Sequence, residues 1–511
     1  MQIDAAVSRS KKFTPGLFRR KDEYISIGRG FAQGYHIGLR TIDRILFAGG
    51  AIFLAAWFFR LAGDGLYAWF SGDDLMNLYG AWSTPVWRLA AGCVIFSDAT
   101  FRPLGALWYR TVFALAGFDP LAFHAAAFVI LFANIALSYV LARQLTGRRE
   151  TAAVAALLVS YNARFANLYY DTGAIYDVLC YFFYYAALVW YVRLRRRGLF
   201  PGTRHLAVFA LLAVCALDAK EMAVTLPLVV LSFELVFHRP QSRSLRALGR
   251  WLRQEGRGAV VAGVPAACFA LAKAVGPAAI VHAPGYRLTI SAERAMSNAR
   301  VYLDHIFYRY GWFTSGRALA LWLGMLALAV ASRSRVLAFA WLLLTVTILP
   351  MLFLEPRAGS AIYVCLFGWA LYAAALASAL TDPLMRWLPA RIKGAALFLA
   401  TAALLFPYHR FEGRFTTRSA TESGEELRAV SAALDRVRPS FPPGARILFL
   451  NDPIRPDVHD LMFLVRLSYQ DQTLAVDRVK MMSAPPEPAG WARYDFVYDY
   501  AAGRFLEVRH P

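Results

Sequence analysis

Apolar residues occur along this chain in blocks of roughly 15 to 20, separated by short polar or basic segments. A helix needs about 20 such residues to cross the hydrocarbon core of a bilayer. The pattern predicts about eleven membrane-spanning helices, near residues 45–63, 121–141, 151–169, 173–192, 205–218, 222–238, 259–280, 317–332, 336–354, 361–380 and 394–408. We therefore predict an all-α polytopic membrane protein whose membrane domain covers residues 45–408.

Basic residues concentrate in the segments between alternate apolar blocks. With the N-terminus inside, these segments all fall on one side of the membrane: 142–150, 193–204, 239–258, 333–335 and 381–393. The positive-inside rule assigns that side to the cytoplasm, together with a basic tail over residues 1–44. The opposite side then holds a long loop over residues 64–120, the short polar turn 218–221 and the chain after residue 409.

The composition agrees with a membrane protein, because 58% of the residues are hydrophobic and only 17% are charged. Soluble domains usually carry about 25% charged residues. A net charge of +21 would suit nucleic acid, but the basic residues lie in loops beside apolar blocks. We therefore expect membrane lipids as partners and no nucleic acid. The cysteines are scattered without metal-binding spacing and predict no disulfide framework.

Residues 409–511 differ in pattern from the rest of the chain. Glu422 to Val437 has helical spacing, and Ala445 to Asn451 predicts a buried strand. Residues 461–467 fit a helix or a strand, and the segments around Val497 and Leu506 flank a small-residue turn like a hairpin. We predict a small extracytoplasmic α/β domain.

Two adjacent carboxylates, Asp73 and Asp74, follow the first apolar block in the predicted outer loop. A carboxylate that is partly desolvated beside a like charge has a raised pKa, which suits a general base. Either residue could instead bind a metal ion, and we expect Asp74 either to orient the acceptor or to help hold a divalent metal. The pair also fits the start of a helix, where carboxylates cap free N–H groups.

Three basic side chains on the predicted outer side are candidates for binding a phosphate. Arg102 precedes Pro103 in the outer loop, a position that favours extended backbone. Lys220 and Glu221 lie between two short apolar blocks, and Lys220 is one of seven lysines in the chain. Arginine and lysine are the usual partners of phosphate. The alternatives are a lipid-headgroup anchor for Arg102 and a mutual ion pair between Lys220 and Glu221.

Arg357 is the third basic candidate, and Tyr363 follows it at the start of the tenth predicted helix. Both could contact phosphate or sugar, and both could instead belong to the interfacial belt of aromatic and basic residues. His305 lies in the outer segment 281–316 and could support a site there, although a structural role explains a single histidine as well.

Acidic residues inside apolar blocks form the last group of candidates. Asp171 and Asp177 flank the outer start of the fourth predicted helix. Acids at this depth usually face the interior of the bundle. Asp177 could support the site or pair with Arg164. For Lys273 and Glu234, we expect snorkelling towards the interface or an ion-pair partner rather than catalysis.

The order of these motifs resembles the GT-C superfamily of membrane glycosyltransferases, over roughly residues 45–380. It is most similar to bacterial relatives of the protein O-mannosyltransferases and TMTC-type enzymes. The matching motifs are the acidic pair Asp73-Asp74, the pair Arg102-Pro103, the pair Lys220-Glu221 followed by Pro227, and Arg357 with Tyr363. In the family the last Arg and Tyr are usually adjacent, whereas here they are separated.

The resemblance implies a GT-C-like fold and a sugar donor linked to polyprenyl phosphate. It implies transfer with inversion to a hydroxyl of a lipid, glycan or protein, at the periplasmic face of a bacterial inner membrane. Asp73 and Asp74 would be the catalytic residues, while Arg102, Lys220 and Arg357 would bind the donor phosphate, with Glu221 and Tyr363 beside them. Mg²⁺ or Mn²⁺ could assist, or the enzyme could work without a metal.

Two functions without catalysis fit the same residues. A flippase or exporter of lipid-linked sugars would use the basic side chains to hold a phosphate. A membrane scaffold would use the outer domain for binding. The gathering of Asp73, Asp74, Lys220 and Glu221 on one predicted side favours the enzyme, because transporters place such groups near the bilayer midplane.

Overall fold

The computed structural model describes residues 44–96, 102–199, 202–240, 242, 244–275, 279, 286–357, 359–484 and 486–508. The chain divides into two compact units, Met1–Trp57 and Phe58–Pro511. The described part of the first unit is the beginning of one helix, and the predicted basic tail lies outside the described residues up to residue 43.

Helices account for most of the described chain. In order they are α1 (Arg44–Tyr67), α2 (Gly72–Ser83), α3 (Val86–Gly92), α4 (Pro103–Ala116), α5 (Pro120–Thr146), α6 (Arg149–Ser160), α7 (Asn167–Tyr170), α8 (Ile175–Arg196), α9 (Thr203–Ala219), α10 (Leu226–Phe237), α11 (Leu245–Gln254), α12 (Arg257–Val275), α13 (Ala292–Phe307), α14 (Ser315–Ala331), α15 (Arg335–Leu352), α16 (Tyr363–Leu384), α17 (Ala390–Asp435) and α18 (Asp460–Ser468). Short 3₁₀ turns precede α8, α10 and α16, at Thr172–Ala174, Glu221–Thr225 and Gly359–Ile362.

Seven helices among the described residues are long and apolar enough to cross a membrane: α1, α5, α8, α12, α15, α16 and α17. This confirms the predicted all-α polytopic class. The other predicted spans hold shorter helices, α6, α9, α10 and α14. Two of these end where the backbone becomes extended, α6 before Tyr161 (φ −153°, ψ 138°) and α9 before Lys220 (φ −162°, ψ 145°).

Helix α8 lies inside the bundle, where it packs against α5, α9 and α16. Its tyrosines are buried and their hydroxyls have partners, as a low-dielectric interior requires. Tyr181 shares a hydrogen bond of 2.6 Å with Ser138, and Tyr184 one of 3.1 Å with Thr225. The ring of Tyr363, from α16, stacks on Tyr181 with 4.3 Å between centroids. This contact places Tyr363 in the core of the bundle.

Helix α8 also carries an ionic group at each end. Near its last turn, Arg195 Nε lies 2.8 Å from Glu234 Oε1, and Glu234 is fully buried. Tyr191 donates a further hydrogen bond of 2.6 Å to the same carboxylate. Burying a carboxylate without such partners would cost several kcal/mol. Glu234 therefore has the ion-pair partner that the sequence led us to expect.

The C-terminal region forms a four-stranded sheet beside α18. The strands are β1 (Arg446–Phe449), β2 (Ala475–Arg478), β3 (Phe496–Ala501) and β4 (Arg504–Glu507), in the order β2-β1-β3-β4. β1 runs parallel to β2 and β3, and β3 and β4 form an antiparallel hairpin. Ala502 and Gly503 make its turn with positive φ angles of 53° and 76°. The predicted strand and hairpin are present, and residues 461–467 are helical.

Helix α17 is continuous from the helical bundle into the C-terminal region that contains this sheet. It runs for 46 residues, from the last predicted span into the C-terminal region. The predicted domain boundary at residues 408/409 therefore falls inside a continuous helix, next to Pro407. The helical spacing predicted for 422–437 corresponds to its last turns.

A fully buried ion pair holds the C-terminal region together. Arg478, at the end of β2, donates from Nε to Asp452 Oδ2 at 3.1 Å and from Nη2 to Asp452 Oδ1 at 2.7 Å. Its guanidinium also donates to the carbonyls of Ile454 and Arg455, at 2.8 and 3.0 Å, and to that of Val458. One side chain thus fixes the loop that leads from β1 to α18.

We expect Asp452→Asn to destabilise the C-terminal region by about 3 to 5 kcal/mol, because it leaves the Arg478 guanidinium buried without its counter-charge. Limited proteolysis of the full-length protein would measure this as a rise in cleavage of about 100-fold or more. Glu507→Gln is the control, since its pair with Arg438 is 46% exposed on the Glu side and contributes less than about 1 kcal/mol. Equal cleavage of the two variants would contradict the role given to the buried pair.

Candidate active site

The candidate site begins at the N-terminus of α2, where Ser71 caps the helix. The Asp74 N–H donates to Ser71 Oγ at 3.3 Å, and the Ser71 N–H donates to Asp74 Oδ2 at 2.8 Å. This reciprocal pair is a capping box, and it satisfies free donors of the first turn. The capping alternative considered for the acidic pair therefore applies to Asp74.

The second oxygen of Asp74 binds the turn that precedes α8. Oδ1 accepts hydrogen bonds of 2.6 Å from the Thr172 hydroxyl and 2.6 Å from the Gly173 N–H. The Tyr109 hydroxyl, from α4, lies 3.4 Å away. Asp74 is fully buried. The carboxylate thus joins three segments that are distant in sequence.

Asp73 occupies the opposite side of the same turn, and its side chain is exposed to a cavity. Burial of the surroundings and the neighbouring charge of Asp74 both raise the pKa of Asp73. A raised pKa brings a carboxylate closer to the range in which it exchanges protons near neutral pH. Of the two predicted catalytic acids, Asp73 is the one whose carboxylate faces open space.

Asp171 is a third carboxyl group at this point. It accepts from the Gly173 N–H at 2.7 Å, and Asn167 Nδ2 lies 3.4 Å from it. Burial, followed by the charge of Asp74, holds the pKa of Asp171 well above its usual range. Asp171 therefore binds its proton more strongly than an ordinary aspartate does.

Asp74 does not fit the metal-ligand role that we considered for it. Its oxygens already accept hydrogen bonds from Ser71, Thr172 and Gly173. In the part of the chain that the structure describes, no group of three or more His, Cys, Asp or Glu side chains is placed to hold a metal ion. The requirement for Mg²⁺ or Mn²⁺ stays a prediction, and we derive no step through a metal.

The cavity beside Asp73 has a volume of about 800 Å³. Its walls come from α2, from the segment before α8, from α17 and from the loop that Arg478 fixes. Lining residues include Asp73, Arg164, Asn167, Asp171, His305, Phe415, Thr416, Ser419, Arg455, Asp457, His459, Asp460 and Phe463. This size is in the range of small-molecule sites, which run from about 300 to 1,000 Å³.

His305 and Arg164 contribute one wall of this cavity. Burial and then the charge of Arg164 lower the pKa of His305, so the imidazole is neutral at physiological pH. Arg164 forms an ion pair of 2.8 Å with Glu412 of α17. It does not pair with Asp177, so that alternative for Asp177 is wrong.

A second group of charges surrounds Glu221, near the start of α4. Arg102 Nη2 lies 2.8 Å from Glu221 Oε1, and Arg102 Nε lies 3.2 Å from Glu221 Oε2. Arg102 also donates to the Tyr286 hydroxyl at 2.8 Å. Burial opposes ionisation of Glu221, but Arg102 and Lys220 outweigh it and lower the pKa of Glu221.

The backbone of Arg102 differs from the sequence prediction. It has φ 52° and ψ 63°, in the left-handed region, rather than the extended conformation expected before Pro103. This conformation costs on the order of 1 kcal/mol or more for a residue other than glycine. The bidentate contact with Glu221 and the contact with Tyr286 hold the side chain in place.

Lys220 pairs with Asp177 rather than with its neighbour Glu221. Lys220 Nζ donates to Asp177 Oδ1, and both side chains are 8% exposed. The mutual pair considered for Lys220 and Glu221 is therefore wrong, because the extended backbone at Lys220 sends the two side chains to different helices. The ion pairs instead tie this turn to α8 and to α4.

Arg357 completes the basic group, and its guanidinium carbon lies 3.8 Å from the centroid of the Tyr286 ring. Tyr286 thus contacts both Arg102 and Arg357. Tyr363 is not brought here, because its ring lies on Tyr181 in the bundle core. We call Arg102, Lys220 and Arg357, with Glu221 and Asp177, the basic cluster. It holds three basic groups against two carboxyl groups.

Tyr176 links the basic cluster to the acidic end of the site. Its hydroxyl donates to Asn77 Oδ1 of α2 at 3.1 Å, and its ring lies 5.3 Å from the guanidinium carbon of Arg102. Gly105 makes this packing possible, since a β-carbon there would lie 2.2 Å from the Tyr176 ring. An aromatic ring therefore stands between the basic cluster and Asp73.

Several site residues gave no signal in the sequence. Tyr176 and Tyr286 look like two of many interfacial tyrosines, and only their contacts distinguish them. His459 and Asp460 belong to a domain whose function could not be predicted, yet they line the cavity with Asp73. A carbon added at Gly72 would lie 2.5 Å from an oxygen of Asp460, so this carboxyl group lies directly on the first turn of α2.

We expect Asp74→Ala to lower the stability of the protein by on the order of 3 kcal/mol, because several donors lose a buried charged acceptor. The adjacent change Asp73→Ala is the matched control and should alter stability by less than about 0.5 kcal/mol. Thermal unfolding of both variants in detergent measures the difference. Similar melting temperatures would contradict the structural role of Asp74.

No protein-family model matches this chain, and no curated protein matches it in sequence. Solved structures do match. The apo crystal structure of ArnT from Cupriavidus metallidurans aligns with a TM-score of 0.50 and 15% identity, over 85% of each chain. A structure of the same protein bound to undecaprenyl phosphate aligns with a TM-score of 0.48 and 13% identity, over 84% of this chain and 85% of that one. At this identity the likeness establishes the fold alone, so this chain has a fold like that of ArnT, in agreement with the GT-C-like fold that the motif resemblance implied.

Proposed function

We propose that this protein is an inverting glycosyltransferase of the bacterial inner membrane. It moves a sugar from a polyprenyl-phosphate donor to an acceptor hydroxyl at the periplasmic face. The observation that carries the proposal is the position of Asp73, whose carboxylate faces the cavity, while Tyr176 links the same helix α2 to Arg102 of the basic cluster. The ArnT type of fold supports it.

On the acceptor side, Asp73 acts as the general base. It takes the proton of the acceptor hydroxyl while that oxygen bonds to the anomeric carbon of the donor sugar. The bond from this carbon to the phosphate oxygen breaks, and polyprenyl phosphate leaves with the electron pair. Attack from the face opposite the leaving group inverts the anomeric centre. Burial and Asp74 raise the pKa of Asp73, which makes it a better proton acceptor.

On the donor side, the basic cluster stabilises the phosphate as it gains negative charge. Arg102 and Lys220 are each held by a carboxylate, and Arg357 lies over Tyr286. Arginine and lysine side chains are the usual partners of phosphate, so the cluster suits an anion. Fixed charges in a partly desolvated site stabilise a leaving group better than mobile ones, because they need little reorganisation.

Asp74 and Asp171 position the base rather than react. Asp74 fixes the first turn of α2 through Ser71 and Gly173. Asp171 contacts the Gly173 N–H of the same turn at 2.7 Å, and burial with the charge of Asp74 raises its pKa. Asp73 is thereby the carboxyl group of the three that stays open to the acceptor.

We expect Asp73→Asn to reduce sugar transfer by at least about 100-fold, the usual contribution of a general base. Donor binding should stay within about threefold, since a neutral Asn leaves the basic cluster intact. The measurement is transfer from a panel of radiolabelled polyprenyl-phosphate sugars by the purified protein in detergent. Asp64→Asn, an exposed acid outside the cavity, is the matched control and should keep wild-type activity.

The outcomes of this assay separate the candidate functions. Transfer that persists in the Asp73→Asn variant removes Asp73 from the mechanism. Donor binding without turnover in the wild type, over the whole panel of polyprenyl-phosphate sugars, would favour a flippase or exporter of lipid-linked sugars. A wild-type protein that binds no donor contradicts the proposal as a whole.

The pH dependence of transfer gives an independent prediction. A base is active when deprotonated, so activity should fall as the pH drops through the pKa of Asp73. Because that pKa is raised, the loss should begin above the usual aspartate range, which is centred near about 3.9. The profile of kcat/KM measures it, with Asp171→Asn as the comparison. If the fall in activity at low pH disappears in the Asp171→Asn variant, the titrating group is Asp171 and the assignment to Asp73 is wrong.

A further inference from the structure

The C-terminal domain contributes one wall of the cavity, and the residues of this wall have no role in the proposed transfer step. This wall consists of Arg455, Asp457, His459 and Asp460, with Phe463 on the first turns of α18. Side chains of Arg455 and Asp457 are 74% and 69% exposed, so the fold does not require them for packing. Exposed charged groups that converge on a cavity are available for a ligand.

The chemistry of the walls indicates a polar ligand with apolar faces. Asn167, Thr416 and Ser419 supply hydrogen-bond donors and acceptors, and Phe415 and Phe463 supply flat apolar surfaces. Small-molecule sites are more commonly apolar with a few polar groups. A saccharide, with hydroxyls around its ring and C–H groups on its faces, matches this mixture.

The charge at the inner end of the cavity restricts the choice further. Asp73 and Asp460 meet there, and Asp460 lies on the first turn of α2, where a β-carbon on Gly72 would lie 2.5 Å from its carboxyl oxygen. The basic residues of the cavity already face carboxylates, Arg164 at 2.8 Å from Glu412. An acceptor group with its own negative charge would be repelled from this end.

We infer that the cavity is the acceptor site, that the loop of residues 455–460 forms one wall of it, and that it selects a neutral or amino-bearing saccharide over a phosphorylated one. The inference rests on the proposed function, because Asp73 is taken as the group that meets the acceptor hydroxyl. It adds the substrate class and gives the C-terminal domain a role in acceptor specificity.

The loop is rigid enough for this role. The buried guanidinium of Arg478 holds the carbonyls of Ile454 and Arg455, so the loop has its binding conformation before a ligand arrives. Contacts from the outer domain to α2 fix its position over the cavity. Arg466 Nη1 donates to the Tyr79 hydroxyl at 3.2 Å, and Phe463 stacks on the Tyr79 ring at 5.0 Å. Preorganisation of this kind lowers the cost of ordering on binding.

Direct binding of three matched probes to the full-length protein in detergent tests the inference. The probes are a β-1,4-linked N-acetylglucosamine disaccharide, its de-N-acetylated form with free amines, and its 6-phosphorylated form, each titrated to millimolar concentration by calorimetry. Affinity should follow the order amine, neutral, phosphate. Asp460→Asn should narrow the ratio between amine and phosphate probes by at least about threefold, because it removes one carboxylate from the inner end.

Glu487→Gln is the matched control, since it removes an exposed acid of the same domain that does not line the cavity, and it should leave the ratio unchanged. A phosphate probe that binds as well as the amine probe overturns the inference, as does a ratio that Asp460→Asn leaves unchanged. Absence of binding by all three probes overturns the saccharide class. Binding needs no donor and no turnover, so its outcome is separate from that of the transfer assay.

Discussion

The carboxylate of Asp74 is the contact on which the arrangement of the site depends. One oxygen completes the cap of α2 with Ser71, and the other binds the turn at Thr172 and Gly173 that starts α8. Because one of two adjacent carboxylates is bound inward, the helical geometry directs its neighbour Asp73 to the other side, into the cavity. The contacts that Asp74 makes for the fold thereby leave the carboxylate of Asp73 exposed to the cavity.

The ion pairs near Tyr176 also connect segments that are distant in sequence. Lys220 and Glu221 are neighbours in sequence but bind Asp177 and Arg102, so each ion pair connects two different segments. A cation in a partly buried site is costly unless it is paired. These pairs hold the side chains of the basic cluster in place. The ring of Tyr176 then lies between Arg102 of this cluster and Asn77 of α2.

How far the sequence could predict this structure depends on the range of the interactions involved. Apolar block length and basic loops placed a helix at each predicted span, since they reflect local periodicity and the bilayer itself. The same local rules found α2 and the hairpin of β3 and β4. These rules could not predict which side chains contact each other. Asp177 pairs with Lys220 rather than Arg164, and Tyr363 packs in the core, because these contacts join residues that are far apart in the chain. The position of Asp460 in the wall of the cavity could not be predicted for the same reason.

Helix α17 explains how the C-terminal region and the helical bundle come to line one cavity. It leaves the last predicted span near residue 408 and reaches the cavity at residues 415–423, roughly 10 to 20 Å further along its axis. The same helix continues without interruption to Asp435, and the chain after it forms the sheet and the loop of residues 455–460. A continuous element therefore sets how far the cavity lies beyond the predicted end of the last span. For the proposed transfer, this distance would bring the phosphate of a lipid-anchored donor and a polar acceptor from water to one place, so that neither substrate would have to cross the membrane.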